Sequence, residues 1–303
     1  MYWGWQIWVY LATAGMAGGA YFAGFLVNVF TGWKHRTFFR VATVTAVPFG
    51  IVGVLALLLD INALRVWHLF VSFKPEAMIS IATWILTIWL TVCFIMFLAW
   101  LLEWDAKNNP DKYSYNMEGG MSKISKVLAW IGFIVSIILF GYTGVLLANT
   151  GLPLWSTTAL LPALFSVSAV STGIALLVVV SLLITSRTKK LSISHSLVHR
   201  LAEADAIVIV VETLVLIAFA VWLAIAGGEA GTALSALLTG ELAVMFWVGF
   251  VLLALLLPIA LDLLHKYKEM EDKTAAWIIG LSAASVIIGG FFLRAVITIG
   301  GQL

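Results

Sequence analysis

Long apolar runs with almost no charge alternate along this chain with short clusters of Lys and Arg. The runs are Met1–Trp33, Val41–Leu59, Ala77–Leu102, Val127–Ile184, Ala206–Gly228, Leu242–Leu261 and Thr274–Leu293, and Glu212 is the one charged residue inside them. A bilayer core about 30 Å thick needs roughly 20 helical residues to cross it. The run Val127–Ile184 is too long for one crossing, and Asn149-Thr150-Gly151-Leu152-Pro153 predicts a tight turn that splits it into two helices. Eight transmembrane helices result. With 62% apolar and 11% charged residues and a mean hydropathy of +1.07, an ordinary soluble domain is excluded.

The basic residues also predict orientation. Connections 1–2, 3–4, 5–6 and 7–8 hold Lys34, Arg36, Arg40; Lys107, Lys112, Lys123, Lys126; Arg187, Lys189, Lys190, Arg200; and Lys266, Lys268, Lys273. The other connections and both ends hold only Arg65, Lys74 and Arg294. Because cytoplasmic loops retain Lys and Arg, these four connections are expected in the cytoplasm of a prokaryotic cell and both termini outside. The first span lacks a basic flank and carries Trp3, Trp5 and Trp8 at its outer end. It reads as a retained helix rather than a cleaved signal.

Several chemistries find no support. A membrane haem needs His ligands facing one another within the spans. His35, His68, His195, His199 and His265 all fall at helix ends or in loops. The single Cys93 cannot hold an iron–sulfur cluster or a cysteine metal site. The longest polar connection, Glu103–Lys126, is too short for a core of its own.

Ionisable residues within spans are functional candidates by default, with a structural ion pair as the competing reading. Helix 6 carries Glu203, Asp205 and Glu212. The last two are seven residues apart, so they share a face at a separation of about 10 Å along the axis. This column fits a proton path from the cytoplasm. Equally, Glu203 and Asp205 fit interfacial residues paired with Arg200. Arg294, in the outer third of helix 8, fits either a proton path or a structural salt bridge with Asp60 and Arg65. Gly15 and Gly19 form a GxxxG pair; close helix packing is its usual meaning, and a thin wall that admits a flat ring is the other.

In order along the chain, Trp8-Val9-Tyr10-Leu11 leads into Gly15-Met16-Ala17-Gly18-Gly19-Ala20. Asp60-Ile61-Asn62-Ala63-Leu64-Arg65-Val66-Trp67-His68 is followed by Ser72-Phe73-Lys74-Pro75. Tyr142-Thr143-Gly144 precedes Pro153-Leu154-Trp155, and Leu293-Arg294-Ala295-Val296 precedes Gly300-Gly301-Gln302. This order resembles the NrfD-type family of polysulfide reductase membrane subunits. The resemblance implies an all-α polytopic membrane protein with two four-helix bundles, the first over about 1–150 and the second over about 157–303. Helices 1–3 and their cytoplasmic loop occupy 1–126, and helices 4–8 occupy 127–303.

The resemblance further implies a quinone-reactive anchor of a respiratory oxidoreductase, without haem or iron–sulfur cluster of its own. It would exchange electrons between menaquinol, or another quinone, and a ferredoxin-like four-cluster iron–sulfur subunit beside a molybdopterin catalytic subunit. By position, Tyr142, His68 and Asp60 become the expected catalytic groups. Tyr10, Tyr142, Trp67, Trp155, Arg65 and Gly15 become the quinone contacts, and Glu212, Asp205, Glu203 and Arg294 the proton path. A quinone ring needs a flat apolar slot, donors for its carbonyls and a proton partner. Interfacial Tyr and Trp otherwise serve as belt residues. The competing function is a stand-alone ion or solute transporter, which calls for broken helices near mid-membrane in both halves; interior breaks here are few, chiefly Pro162 and Pro258.

Overall fold

The computed structural model describes residues 3–61, 77–108, 123–187, 193–267 and 271–303. Among the described residues, eight helices are long and apolar enough to cross a membrane, which bears out the expected count. Spans 1 to 6 are Trp5–Phe30, Arg36–Ile61, Met78–Asn108, Lys123–Ala148, Leu160–Arg187 and His195–Ala226. Span 7 combines a π-helical stretch, Met245–Leu256, with Leu257–Tyr267, and span 8 is Asp272–Gly300. In hydrocarbon every backbone N–H and C=O must find an internal partner, which is why these segments are helical throughout.

Two connections differ from expectation. Residues 149–159 do not form a tight turn. Gly151 takes the positive φ that ends span 4 (+79°), and a one-turn helix, Pro153–Ser156, then starts on Pro153. A further helix, Gly228–Leu238, follows span 6, where Gly227 and Gly228 both adopt positive φ (62° and 55°).

Span 1 is the axis of the assembly. It packs on spans 2, 4, 5 and 8, and 83% of its apolar window is buried, so it belongs to both halves of the chain. Its small residues set the approach to span 5. A Cβ on Gly19 would run into the carbonyl oxygen of Ala169, and one on Gly173 into the backbone nitrogen of Ala20. The two backbones therefore touch, which only glycine permits. On span 7, Pro258 cannot donate a hydrogen bond to the preceding turn, and the wider π-helical turns lie just before it. There Phe292 of span 8 fills the space above Gly249.

Polar ties fix the first four spans. Trp89 Nε1 donates to Ser136 Oγ (2.7 Å), and Tyr21 Oη donates to the Ala129 carbonyl (3.2 Å). At the ends carrying the basic connections, Arg40 pairs with Glu103 (2.7 Å), which also accepts from Ser125 (2.9 Å). At the opposite end the two ends of the chain meet: Trp3 N donates to Gln302 Oε1 (2.7 Å), and Gln302 Nε2 returns a bond to Trp3 O (3.1 Å). Both termini thus lie on one face, called here the terminal face, away from the basic connections.

If the backbone contact between spans 1 and 5 holds the halves together, Gly19→Leu should yield aggregated or unassembled protein. Gly141→Ala, whose new Cβ would meet only Ser166 Oγ at 3.8 Å, should behave as wild type. Size-exclusion profiles of the purified variants decide this; a monodisperse Gly19→Leu protein of unchanged stability would contradict it.

Candidate functional site

Two clusters of polar side chains stand inside the helices, one on either side of span 1. The first is near the terminal face. Tyr10 lies five residues from the start of span 1 and Tyr142 six from the end of span 4. At 1.5 Å per residue, both phenols sit about 8–9 Å inside that face. They are close enough to interact electrostatically. The Tyr142 hydroxyl donates to the Met78 carbonyl at 2.5 Å and also meets Met78 Sδ at 3.2 Å. Tyr10 is fully buried, and its hydroxyl has no hydrogen-bond partner among the described residues. A buried hydroxyl without a partner carries a desolvation cost of order 1–3 kcal/mol, which a bound acceptor would remove.

Of the other expected groups, the quinone contacts Arg65 and Trp67 and the catalytic candidate His68 lie outside the described residues, as does the side chain of the catalytic candidate Asp60. Gly15 faces away from this cluster: its Cβ would meet Ala169 at 3.3 Å and Arg294 Nη2 at 3.6 Å. Trp155 is placed by its own contacts. It is buried beside the termini, with Nε1 donating to the Ile297 carbonyl (2.7 Å), its ring 5.4 Å from that of Trp3, and its edge packed on Gly301. Its position is that of a clasp holding the short 153–156 helix to span 8.

The second cluster lies among spans 5 to 8. Arg294 is 1% exposed. Its Nη1 donates to Ser168 Oγ (2.5 Å) and to the Gly290 carbonyl (3.1 Å), and Nη2 donates to the Phe165 carbonyl (3.2 Å). The guanidinium also lies over the Phe165 ring, 5.3 Å from its centroid. Ser168 also faces Glu212, which feels the Arg294 charge and whose Oε1 has no hydrogen-bond partner among the described residues. One serine therefore joins the cation of span 8 to the acid of span 6. Among the described residues the bonds of Arg294 run to spans 5 and 8; the expected partners, Arg65 and the side chain of Asp60, lie outside them.

The column continues toward the basic connections. Asp205 is buried and accepts from Ser171 Oγ (2.7 Å), and it lies within electrostatic reach of Glu212 and Asp262. Asp262 accepts from Ser282 (3.2 Å) and faces His199. His199 Nε2 is 3.7 Å from Glu203, whose side chain is 63% exposed. Glu212 and Asp205 thus stand inside the protein, and Glu203 stands at its surface. Ser168, Ser171, Asp262, Ser282 and His199 escaped the sequence reading. Serines on apolar helices read as packing residues, and Asp262 and His199 sit beside basic loops where solvated charge is the ordinary reading. Among the described residues, no group of three or more His, Cys, Asp and Glu is arranged to hold a metal.

Known proteins supply an independent observation. The family described as "Polysulphide reductase, NrfD" matches residues 1–303, the full length of the sequence. The chain belongs to the NrfD family. This NrfD protein is 28% identical to the polysulfide reductase C-chain of Wolinella succinogenes over 99% of its own length and 94% of that protein. It is 24% identical to protein NrfD of Escherichia coli, over 99% and 95% of the two sequences. Against the selenate reductase C-subunit of Mesobacillus selenatarsenatis, identity is 24% over 97% of this protein and 73% of that one. Eight apolar helices and this membership make it a multi-pass protein of the bacterial cytoplasmic membrane.

Ser168 is the joint of the second cluster. Ser168→Ala leaves Arg294 Nη1 short of a partner and removes the hydroxyl that faces Glu212, and should lower stability by about 1–3 kcal/mol. Ser166→Ala, which removes only a bond back to the Pro162 carbonyl (2.7 Å), should be close to neutral. Thermal unfolding of the detergent-solubilised variants measures both; equal midpoints would contradict the bridging role.

Proposed function

We propose that this NrfD protein is the quinone-reactive membrane subunit of a respiratory reductase. It exchanges electrons between a diffusible menaquinone, or other quinone, and an iron–sulfur partner subunit. The observation that carries this reading is the Tyr10 hydroxyl, fully buried, without a partner among the described residues and close to Tyr142. A ring carbonyl supplies the acceptor that Tyr10 lacks. Tyr142, half-buried and bonded to the Met78 backbone, donates to the ring once it exchanges that partner. Asp60, Arg65, Trp67 and His68 belong to the span 2 end and the connection that follows, and are proposed to close the site and supply protons.

The names of the relatives support the subunit role, since two of them are components of a polysulfide reductase and a selenate reductase. On this reading a ferredoxin-like iron–sulfur subunit receives or delivers the electrons, beside a molybdopterin catalytic subunit. The basic connections face the cytoplasm and the terminal face, with Tyr10 and Tyr142, faces outward. The line Glu203, Asp205, Glu212 and Arg294 then spans from the cytoplasmic side toward the outer third, and it serves as a proton path coupled to quinone turnover. Hydrogen-bonded acids in series can hand on protons, whereas apolar packing cannot.

Tyr142→Phe should lower quinol-dependent turnover about tenfold or more, the loss expected of one hydrogen bond to the reacting ring, while the complex still assembles. Turnover measured with a soluble quinol on reconstituted complex tests this; an unchanged rate would make Tyr142 a belt residue. For the proton path, Glu212→Gln should abolish proton uptake by energised vesicles while electron transfer persists. Identical pH traces from mutant and wild type would reject the relay.

A further inference from the structure

On the side of span 1 facing away from Tyr10, an apolar crevice of about 420 Å³ opens between spans 1, 7 and 8. It is lined by Trp8, Met245, Phe291, Phe292, Ala295 and other apolar side chains, with no polar surface. The volume falls within the usual 300–1,000 Å³ range for small-molecule sites. Ile287 and Phe291 form a wall shared with a narrower gap behind it, bounded by Ala12, Met16, Thr172, Gly290 and Arg294. That gap does not admit a water in this conformation.

Arg294 borders this gap and keeps one donor unmet. Arg294 is 1% exposed, and Nη1 and Nη2 are bonded, but Nε has no partner among the described residues. A buried charged donor left open is costly, and Thr172, the other polar side chain lining the gap, donates its hydroxyl to the Ser168 carbonyl instead.

We propose that this crevice is a second quinone site, in which an isoprenoid quinone enters from the bilayer and presents a ring carbonyl to Arg294 Nε. The inference rests on the reading of the chain as quinone-reactive. Phe291, the shared wall, turns aside to open the gap, and Trp8, Phe291 and Phe292 flank the ring. A phospholipid headgroup fits less well. Its phosphate would be buried against a single cation that already makes three hydrogen bonds, with no second Lys or Arg among the lining residues. A neutral carbonyl needs only the one N–H. Because Arg294 reaches Glu212 through Ser168, occupancy here acts directly on the acid column, from the side opposite to the Tyr10–Tyr142 site.

The test uses the full chain in phosphatidylcholine nanodiscs, labelled with a photoreactive azidoquinone bearing a ten-carbon tail and mapped by peptide mass spectrometry. The expected result is labelling of the segment 287–299 that excess decylubiquinone suppresses at least tenfold, together with separate labelling beside Met78 and Tyr142. Ala295→Trp fills the crevice, and Ile288→Trp narrows it from a half-exposed position, where an added ring displaces less of the core. Either should remove the suppressible label at 287–299 and leave that beside Tyr142. Arg294→Gln should raise the decylubiquinone concentration needed for suppression about tenfold. No label at 287–299, label that decylubiquinone does not suppress, label that added phosphatidylglycerol displaces as well as the quinone does, or label indifferent to both Trp variants would each overturn the second site. Label at 287–299 alone, with none beside Tyr142, would uphold it and reject the Tyr10–Tyr142 site instead.

Discussion

The backbone contact between spans 1 and 5 is the constraint from which the rest follows. With Gly19 against Ala169 and Gly173 against Ala20, no side chain separates the two helices, and spans from both halves gather round one axis. Tyr10 then points into the first four spans and Gly15 faces Arg294, so a single helix forms the wall between the phenol pair and the buried cation. In a membrane no hydrophobic force distinguishes helix from lipid tail, so close van der Waals contact of this kind must carry the association. Substituting a larger residue at either glycine displaces both clusters at once.

The two clusters differ in how their polar groups are satisfied. Around Arg294 the bonds are denser: two backbone carbonyls, a serine and an aromatic face hold the two terminal nitrogens of the guanidinium, and Nε and the Glu212 Oε1 are the atoms left without partners among the described residues. Such a network holds its charges in fixed places, and in a medium of low dielectric each member depends on the others. Around Tyr10 the bonds are sparse, and the hydroxyl waits for an acceptor. Density suits a group that must keep its position through turnover; sparseness suits one that exchanges partners with a mobile ligand.

What the sequence disclosed follows from the range of each force. The count of eight and the separation of basic connections from termini depend on long apolar runs and on Lys and Arg placement, both of which are properties of single segments. Helix 6 likewise shows Asp205 and Glu212 on one face, because seven residues make nearly two turns. Which side chain meets which across helices is not a property of one segment. Ser168 is one serine among several on span 5, and nothing local marks it as the link between Arg294 and Glu212. Nothing local to Trp155 shows that its indole bonds to Ile297, a residue 142 positions away. Gly15 carried two readings, and the structure sets it against Ala169 of span 5, with the Arg294 guanidinium beside it.

The most direct test of the central claim is the structure, by electron cryo-microscopy, of the assembled complex with a bound quinone or ring analogue. The predicted result is a ring carbonyl within about 3 Å of the Tyr10 hydroxyl, with Tyr142 turned from the Met78 carbonyl to the ligand. A fully occupied ring bound elsewhere, with the Tyr10 hydroxyl still lacking a partner, would contradict it.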